Sequence, residues 1–224
     1  MGVLSLLSSF FDRDGNMQHS FARGWSWLIL KTCFSPVTVH GLEQLDREKA
    51  QVFAANHISA MDIPVLYTQL PVQFRIVANK NLFQYPFMGW HLRRSGQIPI
   101  DRTSMKSTIK SFISAVDDLK RGLSVMIFPE GGRSRNGRVL PFFNGAFYLA
   151  VKAQVPIVPL AIVGTFEMLP MDTYHIKPQQ LELWIGEAIP TEGLTTHDLE
   201  QLSTRVKEAI EKMYYARHVG IRRE

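Results

Sequence analysis

Short apolar runs recur along the chain, each closed by Gly, Pro or Asn: "VTVHGL" (37–42), "QVFAAN" (51–56), "FRIVAN" (74–79), "GQIPID" (96–101), "SVMIFPEG" (124–131), "VPIVPLAIVG" (155–164) and "LELWIGEAI" (181–189). Their Val and Ile content and their length predict strands of a largely buried sheet. Between them the period changes. After Thr103-Ser104, Ile109, Phe112, Ile113, Val116 and Leu119 fall at helical spacing until Gly122. Residues 195–215 repeat that pattern with Leu199, Leu202, Val206, Ile210 and Met213, opened by Thr195-Thr196. Alternation of strand and helix predicts an α/β fold. No repeat or low-complexity segment interrupts it.

The N-terminus departs from this pattern. "MGVLSLLSSFF" (1–11) carries no charge, and "HSFARGWSWLILKTCF" (19–34) sets Phe21, Trp25, Trp27, Leu28, Ile29, Leu30 and Phe34 around Arg23 and Lys31. Aromatic bulk with flanking cations suits a pair of amphipathic helices lying in a membrane interface, or a helix pair that completes the core. Neither segment reaches the roughly 18 uncharged apolar residues of a spanning helix. Arg13 follows the apolar start where a signal peptide would put its cation first, so no such peptide is expected.

At 224 residues one domain is expected, and 46% apolar with 20% charged residues is an ordinary globular composition. The single Cys33 excludes an internal disulfide framework and fits a reducing compartment. Net charge is +5 but unevenly spread: residues 75–138 hold 12 Lys and Arg against 4 acids. Such a segment points to phosphates, on lipid headgroups or a small substrate. Nucleic acid is not expected, since the basic region lacks interleaved aromatics and a binding motif. Scattered histidines and one cysteine argue against a metal site, no nucleotide-binding glycine fingerprint is present, and no cofactor is expected.

Three constellations carry chemistry. In "NHISAMDIP", His57 and Asp62 are five positions apart and would not share a helix face, so they meet only if His57 lies in the strand-end turn and Asp62 opens a helix with Pro64. A carboxylate on one ring nitrogen would leave the other to take a proton from a hydroxyl. Equally, Asp62 could cap the helix and His57 could be an ordinary turn histidine. In "FPEGGRSRNGRVLPF" (128–142), Glu130 precedes two glycines and Arg133, Arg135 and Arg138, a combination able to hold an anion or simply a solvated basic loop with Glu130 as ion-pair partner. Lys80 and Arg102 each follow a strand; each could hold a phosphate, and Arg102 could instead pair with Asp101.

"NHISAMDIP" resembles the NHxxxxD block of the glycerolipid acyltransferases. "KNLFQYPFMG" with "GQIPIDR", then "FPEGGRSR", then "VPIVPLAI", resemble that family's later blocks in order, over about residues 37–190. The resemblance implies a single α/β domain with a mixed, mostly buried sheet flanked by helices (37–224), preceded by membrane-associating helices (1–36). It implies transfer of an acyl group from an acyl thioester, of coenzyme A or of acyl carrier protein, to lysophosphatidic acid. His57 would be the general base and Asp62 its orienting partner, with loss of the tautomer preference the expected effect of Asp62→Asn. Lys80 and Arg133 would meet the acceptor's phosphate, with Glu130 and Gly131 in the acceptor-binding block and Arg102, at the end of the second block, also substrate-binding. A further implication is peripheral or monotopic attachment at the cytoplasmic face of an anionic membrane. Gly132 departs from the family, which usually has Thr there. Acylation of another lysophospholipid or of glycerol 3-phosphate, or a non-catalytic lipid-binding module, remain alternatives.

Overall fold

A computed structural model describes residues 15–101 and 103–217. The first of the two N-terminal segments, and Arg102, lie outside the described residues. Each apolar run delivers a strand: β1 (Val37–His40), β2 (Val52–Ala55), β3 (Phe74–Asn79), β4 (Ile98–Ile100), β5 (Ser124–Ile127), β6 (Ile157–Val163) and β7 (Leu181–Ile185). They form one sheet in the order β1-β7-β6-β2-β5-β3-β4. All neighbours are parallel except β6 and β7, which are antiparallel, so the sheet is mixed. β2, β5 and β6 are buried along their whole length, whereas β7 alternates between buried and half-buried positions. That is the burial expected for central strands covered on both faces and for a strand nearer the edge.

Helices cover both faces. On one side lie α1 (Asn16–Thr32) and α2 (Asp62–Gln69), which bury Leu30, Val65, Leu66 and Tyr67 with Phe53, Phe74 and Met126 of the sheet. On the other lie α4 (Met105–Lys120), α5 (Tyr148–Ala153) and α7 (Leu199–Arg217), packed with Ala54, Val125 and Ile157. Two short helices, α3 (Met88–Arg94) and α6 (Thr165–Met168), follow strand ends.

Helical spacing located α4, and Phe112, Val116 and Leu119 of its apolar positions pack into the core. Ile109 and Ile113 are 50% and 56% exposed, while Ala115, Asp118 and Leu119 are buried. On its inner side Asp118 meets Arg75 of β3 at 3.0 Å. α7 opens as expected. Thr195 forms a capping box with Asp198, then Leu202, Val206 and Ile210 are buried along one stripe.

Candidate functional site

Five neighbouring strands, β6, β2, β5, β3 and β4, run parallel, so their carboxyl ends share one edge. The residues just beyond those ends are Thr165, His57, Glu130, Lys80 and Asp101, in that spatial order. With about 4.8 Å between strands, this edge gathers into one row residues more than a hundred positions apart. The crevice outside such strand ends is the usual ligand site of an open α/β sheet.

The row is anchored at β2. Asn56, fully buried, donates its amide to Ile162 O at 3.0 Å and accepts the Ile162 N–H at 2.8 Å, tying the strand end to β6. This sets the turn in which His57 begins. The His57 ring stacks on Phe128, with centroids 4.1 Å apart. His57 Nδ1 lies 2.8 Å from Asp62 Oδ2. A carboxylate only accepts, so Nδ1 carries a proton, and in the neutral ring the lone pair is on Nε2. The His57 side chain is 19% exposed and that of Asp62 is 0%.

Asp62 is the first residue of α2, yet it caps nothing in that helix. Its Oδ2 accepts the N–H of Ile58 at 2.7 Å and of Ser59 at 2.9 Å, upstream of itself. Oδ1 accepts the hydroxyl of Thr165 at 2.6 Å. Four donors thus hold this buried carboxylate, which settles the two sequence alternatives in favour of the His57 contact. Thr165 carried no signal in the motif spacing. It sits 103 residues from Asp62, and its only clue is a Gly-Thr step after a strand.

Glu130 follows β5 and is also buried. Its Oε1 accepts the N–H of His57 at 2.7 Å, and Oε2 accepts the N–H of Leu140 at 2.7 Å. The carboxylate therefore pins the histidine backbone to the far end of the arginine loop, where sequence alone offered an ion pair. Burial pushes its pKa up to about 8, against the pull of the Leu140 and His57 N–H donors. Its pKa when unfolded is near 4.5, so this group favours the folded state fully below about 4.5, and that contribution is lost as pH rises through about 8. Wild type should lose stability relative to Glu130→Gln between those limits, by on the order of a few kcal/mol at about 1.4 kcal/mol per pK unit. Paired thermal melts across this range measure the difference, and parallel curves would discard the reading.

The loop from Gly131 to Leu140 leaves the rim with Arg133, Arg135 and Arg138 exposed. Gly131 turns it at φ 68°, a conformation L side chains resist. Ser134 N–H donates to His57 O at 3.0 Å, and Arg135 lies 3.7 Å from Asp172. A Cβ at Gly132 would meet nothing within 4 Å. A threonine fits there, so Gly132→Thr should fold with an unchanged melting midpoint; a large drop in a thermal melt would contradict this.

Lys80 starts the turn after β3 and pairs with Asp101 at 3.1 Å. Asp101 is held to a pKa of about 2 by the Thr103 hydroxyl, then by Lys80. Among the described residues no group of three His, Cys, Asp or Glu side chains is placed to hold a metal ion. The assembly of a buried acid, an oriented imidazole and a loop of exposed arginines can take a proton from a hydroxyl and hold a nearby anion.

Residues 36–163 match the model of the Acyltransferase family. The chloroplastic 1-acyl-sn-glycerol-3-phosphate acyltransferase BAT2 of Brassica napus is 33% identical over 71% of this chain and 46% of its own length. The putative 1-acyl-sn-glycerol-3-phosphate acyltransferase acl-2 of Caenorhabditis elegans is 30% identical over 88% of this chain and 68% of its own. The crystal structure of the 1-acyl-sn-glycerophosphate acyltransferase PlsC from Thermotoga maritima superposes with a TM-score of 0.82 at 26% identity, covering 99% of this chain and 90% of that one. Against several curated relatives the chain spans only about two fifths to three fifths of their length.

Proposed function

Because this chain belongs to the acyltransferase family, we propose that it moves a fatty acyl group from an acyl thioester to the free hydroxyl of lysophosphatidic acid, giving phosphatidic acid. The observation that carries the proposal is the His57–Asp62 contact at 2.8 Å, set on the same rim as the cationic loops. His57 Nε2 takes the hydroxyl proton as the acceptor oxygen attacks the thioester carbonyl. Asp62 stabilises the imidazolium that results. The tetrahedral intermediate then collapses, the carbon–sulfur bond breaks, and the thiolate recovers the proton. No nucleophile from the protein is required, since the acceptor supplies its own.

The spacing supports this acceptor. His57 and Lys80 leave strands two places apart, roughly 10 Å along the rim. A glycerol phosphate together with a lysine side chain spans that gap. Arg133 is exposed on the loop between them and offers a bidentate partner to phosphate. Glu130 has both oxygens engaged by backbone N–H groups, so its part is to hold this loop to the His57 backbone.

The protein further docks peripherally on an anionic membrane surface. An acyl chain of about 14 methylenes carries roughly 11 kcal/mol of transfer free energy at about 0.8 each, which draws the lysolipid acceptor to the bilayer. No helix among the described residues is long and apolar enough to cross one. Large apolar side chains are exposed instead on α1 (Trp25, Trp27, Leu28) and on the rim (Tyr85, Phe87, Trp90). Phe87 is held at φ 61°, an uncommon conformation for a bulky residue, and is 63% exposed. Lys31, Arg93 and Arg94 flank them, each cation adding about 1 kcal/mol at an anionic surface.

Thiol release from palmitoyl-coenzyme A and palmitoyl-carrier protein, against a panel of lysolipids in vesicles, tests the whole proposal. Release is expected with lysophosphatidic acid above the other acceptors. Binding to anionic vesicles without any thiol release would leave a lipid-binding module in its place.

A further inference from the structure

The helix α7 lies beyond the span matched to the family, which ends at residue 163. It packs across β6 and the 144–147 turn, burying Leu202, Val206, Ile210 and Tyr214 at intervals of four residues. Arg217 sits over the Trp184 ring of β7, 4.4 Å from its centroid, and fixes the helix end. At that end two adjacent tyrosines reach the arginine loop from inside the protein. Tyr214, 1% exposed, donates its hydroxyl to Gly137 O at 2.7 Å. The Tyr215 hydroxyl accepts the Val139 N–H at 3.2 Å. The two rings meet edge to face, with centroids 5.1 Å apart.

The turn they hold is tight. Gly137 is buried at φ 73°, and Asn136 Oδ1 accepts both the Ser134 hydroxyl at 2.9 Å and the Arg138 N–H at 3.1 Å. Burial first, and then the negative charge of Glu167, raises the pKa of the Tyr214 phenol above its ordinary range, so the hydroxyl remains a donor at any working pH.

We infer that Tyr214 and Tyr215 are positioning residues for acceptor binding: they fix the backbone of residues 137–139 so that Arg133 is presented at the rim before lysophosphatidic acid arrives. The inference rests on the acyl-transfer reading above. A loop already set in place spares the ordering cost that phosphate binding would otherwise carry. The side chains of His57 and Asp62 are held by hydrogen bonds of their own, and the His57 backbone meets the loop at Ser134 and, through Glu130, at Leu140, outside residues 137–139. The effect therefore falls on acceptor binding, not on the proton transfer.

The test is steady-state thiol release by Tyr214→Phe, varying lysophosphatidic acid in mixed vesicles and the thioester separately. The apparent KM for lysophosphatidic acid should rise about five- to tenfold, with kcat and the thioester KM within about twofold. In an Arg133→Ala background the same substitution should add less than about twofold, because the residue acted on is gone. An unchanged acceptor KM, equal losses in both backgrounds, or a joint fall in kcat and both KM terms overturns the inference while leaving the reaction itself standing. Tyr215→Phe, expected to give the same split, decides the matter if Tyr214→Phe does not fold. A wild-type protein that releases no thiol with lysophosphatidic acid removes the functional reading and this inference with it.

Discussion

His57→Ala is expected to abolish acyl transfer, lowering kcat by about three orders of magnitude or more, while the protein still melts cooperatively near the wild-type temperature. The size follows from what one positioned base contributes, roughly 10²–10⁴-fold, together with the lost electrostatic partner for Asp62. The fold should tolerate the change. The imidazole is partly exposed, so its removal leaves no sealed cavity, and Asp62 retains three other donors from Ile58, Ser59 and Thr165. Activity within tenfold of wild type would remove His57 from the mechanism.

Asp62→Asn should cost about a thousandfold in kcat, for a reason that only the structure provides. From sequence, loss of the histidine tautomer was the expected cause. With the asparagine oxygen in the place of Oδ2, however, the backbone N–H groups of Ile58 and Ser59 and the imidazole Nδ1–H all keep their acceptor. The amide nitrogen then faces Thr165, whose hydroxyl can rotate to accept from it. Orientation and tautomer survive, and the negative charge does not. At about 4 Å between charge centres and an effective dielectric of about 20, that charge is worth roughly 4 kcal/mol to the imidazolium, which is about three powers of ten in rate. Single-turnover thiol release measures it. Turnover near wild type would mean that no cation forms on His57 in the rate-limiting step.

Much of this was legible beforehand, and the remainder has a common character. The seven described strands lie within the apolar runs, most plainly β2, β5 and β6, because a strand covered on both faces must be continuously apolar. The contact between His57 and Asp62 was one of two readings that the spacing left open, and the resemblance favoured it. Hidden were the pairings between distant residues: Thr165 on Asp62, Asn56 on Ile162, Glu130 between two backbone amides, and Lys80 on Asp101. Each depends on strand order, and local periodicity carries nothing about order. The pairing of Asp118 with Arg75, 43 residues away, was hidden for the same reason.

The order of the sheet also bears on how the chain is made. The first strand, Val37–His40, finds its partner in the last, Leu181–Ile185. A nascent polypeptide therefore carries the tryptophans of residues 25 and 27 on a helix whose neighbouring strand stays unmatched until some 140 further residues have emerged. Closure of so distant a pair is slow. Early release of the chain from the ribosome, or truncation before residue 181, would leave a bare strand edge beside an aromatic surface, a combination prone to self-association.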